Sequence, residues 1–246
     1  MTIGTYIERR PMLKNTSSPF RGKGYIVGDD FCRESLTPTS AFTFYGKAAT
    51  GSDTSAFDTT INRVNWITAA TAGDDVDVRT ASLRFERAYS SLVSGMASLV
   101  SGDDTTTLEI YAPFQLGAAT NTEGFVGLLG GVSALTALPT TARHMGIYWD
   151  ASAQANFRLT SSNATTQVDT DTTIALDTAV HILHIIWTGE DAATLEMLNA
   201  AGAVQSTIAV TAFNLTAGTS HQLHWFIQTE TGAATLRSYP WRAKWT

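Results

Sequence analysis

The chain of 246 residues has little that would make it reactive or strongly charged. It holds one cysteine, Cys32, so it has no internal disulfide and no Cys-rich metal site. Charged residues make up only 15%, against roughly 25% in ordinary domains. No Lys or Arg occurs at positions 88–142 or 159–236. No apolar run approaches the roughly 18 residues needed to span a bilayer, which argues against a membrane partner. Residues 1–12 are polar and charged without the apolar centre of a cleaved leader, so synthesis in a cytoplasm is expected. Neither a phosphate-binding loop nor a dinucleotide fingerprint is present, and no cofactor is expected.

What is present is β-structure. Hydrophobic residues are 43% and aromatic residues 10%, enough to fill a sizeable core. Thr, Ser, Asn and Gln supply the surface polarity, and branched Thr suits exposed strand positions. Residues 180–187 (VHILHIIW) are apolar on both sides, which predicts a central strand between packed layers. Turns at 188–191 and 199–202 predict a meander through residue 210. Met145, Ile147 and Trp149 alternate with Gly146 and Tyr148, and Phe157 and Leu159 flank Arg158, which predicts a hairpin. Leu223, Trp225 and Ile227 share one face of another strand. In the last strand Trp241, Ala243 and Trp245 alternate with Arg242 and Lys244, with Pro240 at its start. Only residues 87–102 show helical spacing, and Gly95 with the repeated SLVSG pieces makes a strand pair an equal alternative. The reading is all-β: a single antiparallel two-sheet jelly-roll sandwich over residues 25–246, preceded by an extended N-terminal arm, residues 1–24.

Charge divides the same way. Residues 1–24 hold Arg9, Arg10, Lys14, Arg21 and Lys23 against Glu8, a balance of +4. The remaining 11 cations and 21 acids leave the body at −10. An acidic body does not suit nucleic acid, which needs a phosphate-neutralising surface. The arm, with Phe20 among its cations, is the candidate partner-binding segment (Arg9, Arg10, Lys14, Phe20, Arg21, Lys23).

Tests for chemistry return little. A retaining glucanase needs two carboxylates about 5 Å apart, which one strand can supply by period-two spacing, as in a Glu-x-Asp-x-x-Glu string. No such string occurs. Glu109 and Glu196 read as lone solvated acids, and Asp75 and Asp77 with Arg79 as a salt-bridged surface. His181 and His184 are three apart, as are His221 and His224, so strand geometry sends each pair to opposite faces. A shared zinc is not expected, although cross-strand pairing could bring His184 near His224. Three Gly-Asp-Asp turns (28–30, 73–75, 102–104) offer oxygen ligands for calcium, but Gly-Asp is equally ordinary turn chemistry, and no metal is assigned. For a glycan, Tyr148, Trp149 and Asp150 are the candidate contacts, with a core role for Trp149 the stronger alternative.

Several stretches together carry a resemblance: Gly28-Asp29-Asp30-Phe31, GFVGLLG at 124–130, HMGIYWDASAQANFRL at 144–159, TAVHILHIIW at 178–187, LEMLNAAGAVQSTI at 195–208, and the aromatic and basic closing strand. Over about 24–246 the sequence resembles the concanavalin A-like (lectin/glucanase-type) jelly-roll domains of tailed-phage structural proteins. The resemblance implies that the first and last strands lie together, with residues 27–31 near 241–245. It also implies a non-enzymatic capsid-decorating, head-fibre or tail-associated protein. Such a protein would be a homo-oligomer, plausibly a trimer, bound to other capsid or tail subunits in the virion after synthesis in the host cytoplasm. A glycan-binding module for host attachment is the alternative.

Overall fold

The computed structural model describes residues 25–29, 46–51, 54–58, 63–80, 107–130, 134–140, 142–189, 192–210 and 221–245. The expected arm, the segment 87–102 and the turn at 102–104 lie outside them. The described strands are β1 (Tyr25–Asp29), β2 (Gly46–Thr50), β3 (Thr54–Asp58), β4 (Arg63–Ile67), β5 (Asp75–Arg79), β6 (Leu108–Leu116), β7 (Thr122–Gly130) and β8 (Arg143–Asp150). They continue with β9 (Asn156–Asn163), β10 (Gln167–Ala175), β11 (Val180–Gly189), β12 (Ala192–Asn199), β13 (Val204–Val210), β14 (His221–Thr229), β15 (Thr235–Ser238) and β16 (Trp241–Trp245). No helix occurs among the described residues, and hence none long and apolar enough to cross a membrane.

Two antiparallel sheets form the sandwich. One runs β13-β12-β11-β6-β15-β4-β3, with β16 also on β6 and β1 on β16; the other runs β10-β9-β8-β7-β14-β5-β2. Alternation builds the core. Leu108, Ile110, Ala112, Phe114 and Leu116 of β6 point inward and are at most 1% exposed, while the residues between them are half-buried. Leu183, Ile185 and Trp187 of β11 join Val126 and Leu128 of β7 and Trp225 and Ile227 of β14 in one cluster shared by both sheets. Removing such side chains from water contributes about 1.5–3 kcal/mol each.

The central position of β11 holds, since it pairs with β6 on one side and β12 on the other. Its second face does not meet a core. Val180, Ile182 and Ile186 lie half-buried on the outer face of the nine-stranded sheet.

The first and last strands pair as the resemblance implied, Tyr25 opposite Trp245 through Asp29 opposite Trp241. β15 and β16 share the edge of β6, and the chain breaks between them at residues 239–240. The Pro113 carbonyl accepts from Tyr239 N–H at that break. Carbonyl and amide of one antiparallel residue point the same way, so the missing N–H of Pro113 falls where the ladder is already interrupted.

Candidate functional site

The outer face of the seven-stranded sheet gathers the buried polar residues Asp75, Asp77, His144, Thr160, Ser162 and His224. Register sets its rows. His144 of β8 faces Ser162 of β9 and Leu129 of β7, with Gln222 of β14 beyond. The next row runs Asp169, Thr160, Gly146, Gly127, His224, Arg79. A third runs Asp171, Arg158, Tyr148, Phe125, Phe226, Asp77. The last runs Asp150, Glu123, Gln228, Asp75.

Its centre is apolar and covered. Phe125, Leu129 and Phe226 form a cluster with Leu135, and Leu138 and Tyr148 pack against it. Glycine is required beneath the Phe125 ring. A Cβ on Gly127 would lie 2.4 Å from the Met145 carbonyl oxygen and 2.5 Å from Phe125 Cζ, and one on Gly146 would lie 2.3 Å from the Val126 carbonyl oxygen. The segment 134–140 is tied over this centre by Leu135 N–H donating to Asp77 Oδ2 (3.0 Å) and Gln228 Nε2 donating to the Thr136 carbonyl (3.3 Å).

Beside the apolar centre sits a buried pair. His224 Nδ1 lies 2.9 Å from Asp77 Oδ1, and both side chains are fully buried. Arg79 Nε is 3.6 Å from the other Asp77 oxygen. Asp77 is therefore no surface carboxylate: its alternation with the core residues Val76 and Val78 turns it onto a face that 134–140 then covers. An imidazole oriented by a carboxylate is the base half of a hydrolytic triad. Here no hydroxyl or thiol is hydrogen-bonded to His224 Nε2 among the described residues.

One edge of the sheet carries a polar chain. His144 Nε2 is 3.1 Å from Thr160 Oγ1, which donates to Asp169 Oδ1 at 2.6 Å. Tyr148 OH donates to Asp169 Oδ2 (3.2 Å) and accepts from Gln154 Nε2 (3.1 Å). Burial holds the His144 ring below the usual histidine range, against the opposing pull of its bond to the Ala142 carbonyl and the nearby Asp169 charge. Burial likewise raises the Tyr148 phenol.

The far end is acidic. Glu123 lies opposite Asp150, and burial first, then the charges of Asp150 and Glu230, raise its carboxyl above the ordinary range. Asp150 Oδ1 accepts from Ser152 N–H (3.0 Å), Ser152 Oγ (2.7 Å) and Ala153 N–H (3.1 Å), so it is occupied in closing the β8–β9 turn. Asp75 is buried and bonded to Thr50 N–H and Oγ1; burial raises its carboxyl and the Thr50 bonds oppose the shift. Asp74 Oδ2 accepts Thr71 N–H. Among the described residues no group of three His, Cys, Asp or Glu could hold a metal ion.

Tyr148 and Asp150 thus share this outer face, half-buried. Trp149 does not. It is fully buried, its Nε1 donates to Thr122 Oγ1 (3.3 Å), and its ring stacks at 5.9 Å on Phe114. Alternation with Tyr148 points it into the core, where it meets no sugar. The arm residues Arg9, Arg10, Lys14, Phe20, Arg21 and Lys23 lie outside the described residues.

The histidines divide as their spacing predicts. His181 faces inward against Phe157, and His184 faces outward. His221 points inward, edge-on to Trp187, while His224 points out. His184 and His224 belong to different sheets and do not meet. Glu196 is not a lone solvated acid: its Oε2 lies 2.8 Å from His184 Nδ1. Glu109 likewise accepts from Tyr111 OH (3.1 Å). Sequence reasoning missed Asp77 with His224, and His144 with Thr160 and Asp169. Alternation placed each residue on a face, but only the strand order supplied the partner.

A scan of protein-family models and a search of curated proteins each find no match. Solved structures do match. A protein of unknown function from Shewanella oneidensis is 13% identical, with a TM-score of 0.62, over 100% of this chain and 94% of that one. A peanut lectin solved with a nine-residue peptide is 10% identical, TM-score 0.57, over 91% and 98%. The CBM2 module of the evolved Dit of Lactobacillus casei phage J-1 is 9% identical, TM-score 0.52, over 90% and 94%. Sheet order, the pairing of β1 with β16 and these likenesses together give the chain a concanavalin A-like jelly-roll fold.

Proposed function

We propose that the chain is a non-enzymatic structural module of a tailed-phage particle. It binds neighbouring capsid or tail subunits through its sandwich surface and the basic residues 1–24, and assembles as a closed homo-oligomer such as a trimer. The supporting observation is the fold shared with the phage Dit module over nearly the whole of both chains. The use made of the carboxylates also favours binding over hydrolysis. Asp77, Asp150, Asp169 and Glu196 each hold a backbone amide, a hydroxyl or an imidazole of the chain itself. An arm of +4 beside a body of −10 suits contact between copies or with an acidic neighbour. Deleting residues 1–23 tests this: incorporation into particles is expected to fall at least tenfold while the purified protein stays folded, and unchanged incorporation contradicts the tether.

A glycan-binding role for host attachment is the second reading, favoured by Tyr148 and Asp150 lying side by side on one face. Saturable binding on a glycan array, competed by free sugar and lost in Tyr148→Ala, would establish it.

A further inference from the structure

The β8–β9–β10 edge holds a hydrogen-bond chain whose protons can be counted. His144 is fully buried. Its Nδ1 lies 2.9 Å from the Ala142 carbonyl, which only accepts, so Nδ1 carries the ring hydrogen. Its Nε2 faces Thr160 Oγ1 at 3.1 Å, and that oxygen lies 2.6 Å from Asp169 Oδ1. A hydroxyl has one proton. With a neutral ring and an ionised carboxylate, both neighbours of Thr160 are acceptors, and one link lacks its hydrogen. Asp169 also receives Tyr148 OH, so the chain runs from a buried imidazole to the exposed edge strand.

We propose that His144, Thr160 and Asp169 form an acid-operated latch. The Thr160 hydroxyl is given to Asp169, so the link to the neutral ring is the one without a hydrogen; uptake of one proton makes His144 Nε2 a donor to Thr160 and completes the chain from β8 to the β10 edge and Tyr148.

The groups around the ring allow the titration to be assigned. From β9 it faces Thr160 and Ser162, which do not titrate here. From β7 it faces Leu129 and the Phe125 ring, whose centre is 5.7 Å from its own with the two planes at 85°. From β10 the described titratable group is Asp169, whose charge favours the protonated ring. Arg143 precedes it on β8. Burial opposes protonation more strongly, so the ring is neutral at neutral pH and the latch closes only below the ordinary value of 6.5. The latch is independent of the proposed function, since it concerns only how the edge responds to acid.

The test is a ring-nitrogen NMR titration of His144 in the full chain, with amide-exchange protection along residues 167–171 corrected for intrinsic rates. In the unsubstituted protein, protection is expected to rise as His144 protonates. In Asp169→Asn the new amide donates to Thr160, the hydroxyl turns to the neutral ring, and the chain is complete without an added proton. His144 is then expected to titrate about one unit lower, a tenfold loss of proton affinity, with protection independent of pH. Thr160→Val removes both links and is expected to lower the midpoint while leaving the edge weakly protected at every pH. Asp169 is exposed, so its substitution leaves the fold intact and decides the matter even if Thr160→Val unfolds. A midpoint and protection profile in Asp169→Asn equal to those of the unsubstituted protein would overturn the latch.

Discussion

The two outer faces of the sandwich each carry a histidine–carboxylate pair, and they differ in burial. On the seven-stranded sheet His224 and Asp77 are both fully buried, 2.9 Å apart. On the nine-stranded sheet His184 and Glu196 are 2.8 Å apart with side-chain exposures of 10% and 19%. The His184 ring stacks on Tyr111 at 4.1 Å, and the Arg242 guanidinium lies 4.3 Å from the Tyr111 ring centre on the neighbouring strand. One face is covered at its centre by 134–140, and the other carries a pair whose carboxylate lies nearer the surface. The same chemical pair therefore has different structural duties. A sealed pair must be kept whole, because each partner stranded alone is a buried unpaired polar group. The pair nearer the surface loses less when broken, because water reaches it from the Glu196 side.

The comparison breaks most visibly at Asp77. Asp77→Ala strands the His224 ring and the Leu135 amide together, and is expected to cost about 3–5 kcal/mol in urea unfolding. Next is Gly127→Ala, which drives a methyl into the Met145 carbonyl and the Phe125 ring and is expected to cost about 1–3 kcal/mol, with disturbed near-ultraviolet circular dichroism. Glu196→Ala is the matched control for Asp77→Ala. It is expected to cost about 1 kcal/mol or less; an equal loss at the two sites would show that 134–140 does not cover its face.

The smallest effect has the opposite sign. The Glu123 carboxyl is raised in the fold, so the folded state binds its proton more tightly than the unfolded one. Its contribution to stability is fully present below the ordinary value of 4.5 and is lost as pH rises through the folded value. Glu123→Gln is accordingly expected to stabilise at pH 7, by about 0.2–1 kcal/mol given its half-exposed position, and to match the unsubstituted protein below pH 4.5. Thermal melts at both pH values check it.

Much of the framework was legible in the sequence because alternation is a local signal. The period of two in 145–149 and 157–159 yielded β8 and β9, the apolar run at 180–187 yielded β11, and Pro240 marked the start of β16. The same alternation made the core the stronger place for Trp149, although Trp149 was also a candidate glycan contact, and the core is where it lies. What alternation cannot supply is the neighbour across the sheet. Asp77 and His224 are 147 residues apart, and their pairing follows only from β5 lying beside β14. His144 and Asp169 meet through Thr160 because β9 lies between β8 and β10. Hence the acids that looked solitary or superficial, Asp77 and Glu196, proved to be bonded to imidazoles. The glycine-rich stretch 124–130 signalled close backbone approach, but which ring Gly127 and Gly146 make room for came only with the folded chain.

The central claim is that Asp77 holds the covered face together through its buried pair with His224 and its bond to the Leu135 amide. The most direct test is a double-mutant cycle on Asp77→Asn and His224→Gln, read by urea unfolding. The account predicts a coupling of about 2–3 kcal/mol between them, with Asp77→Asn already destabilised. Two folded variants whose effects simply add, with coupling near zero, would contradict it.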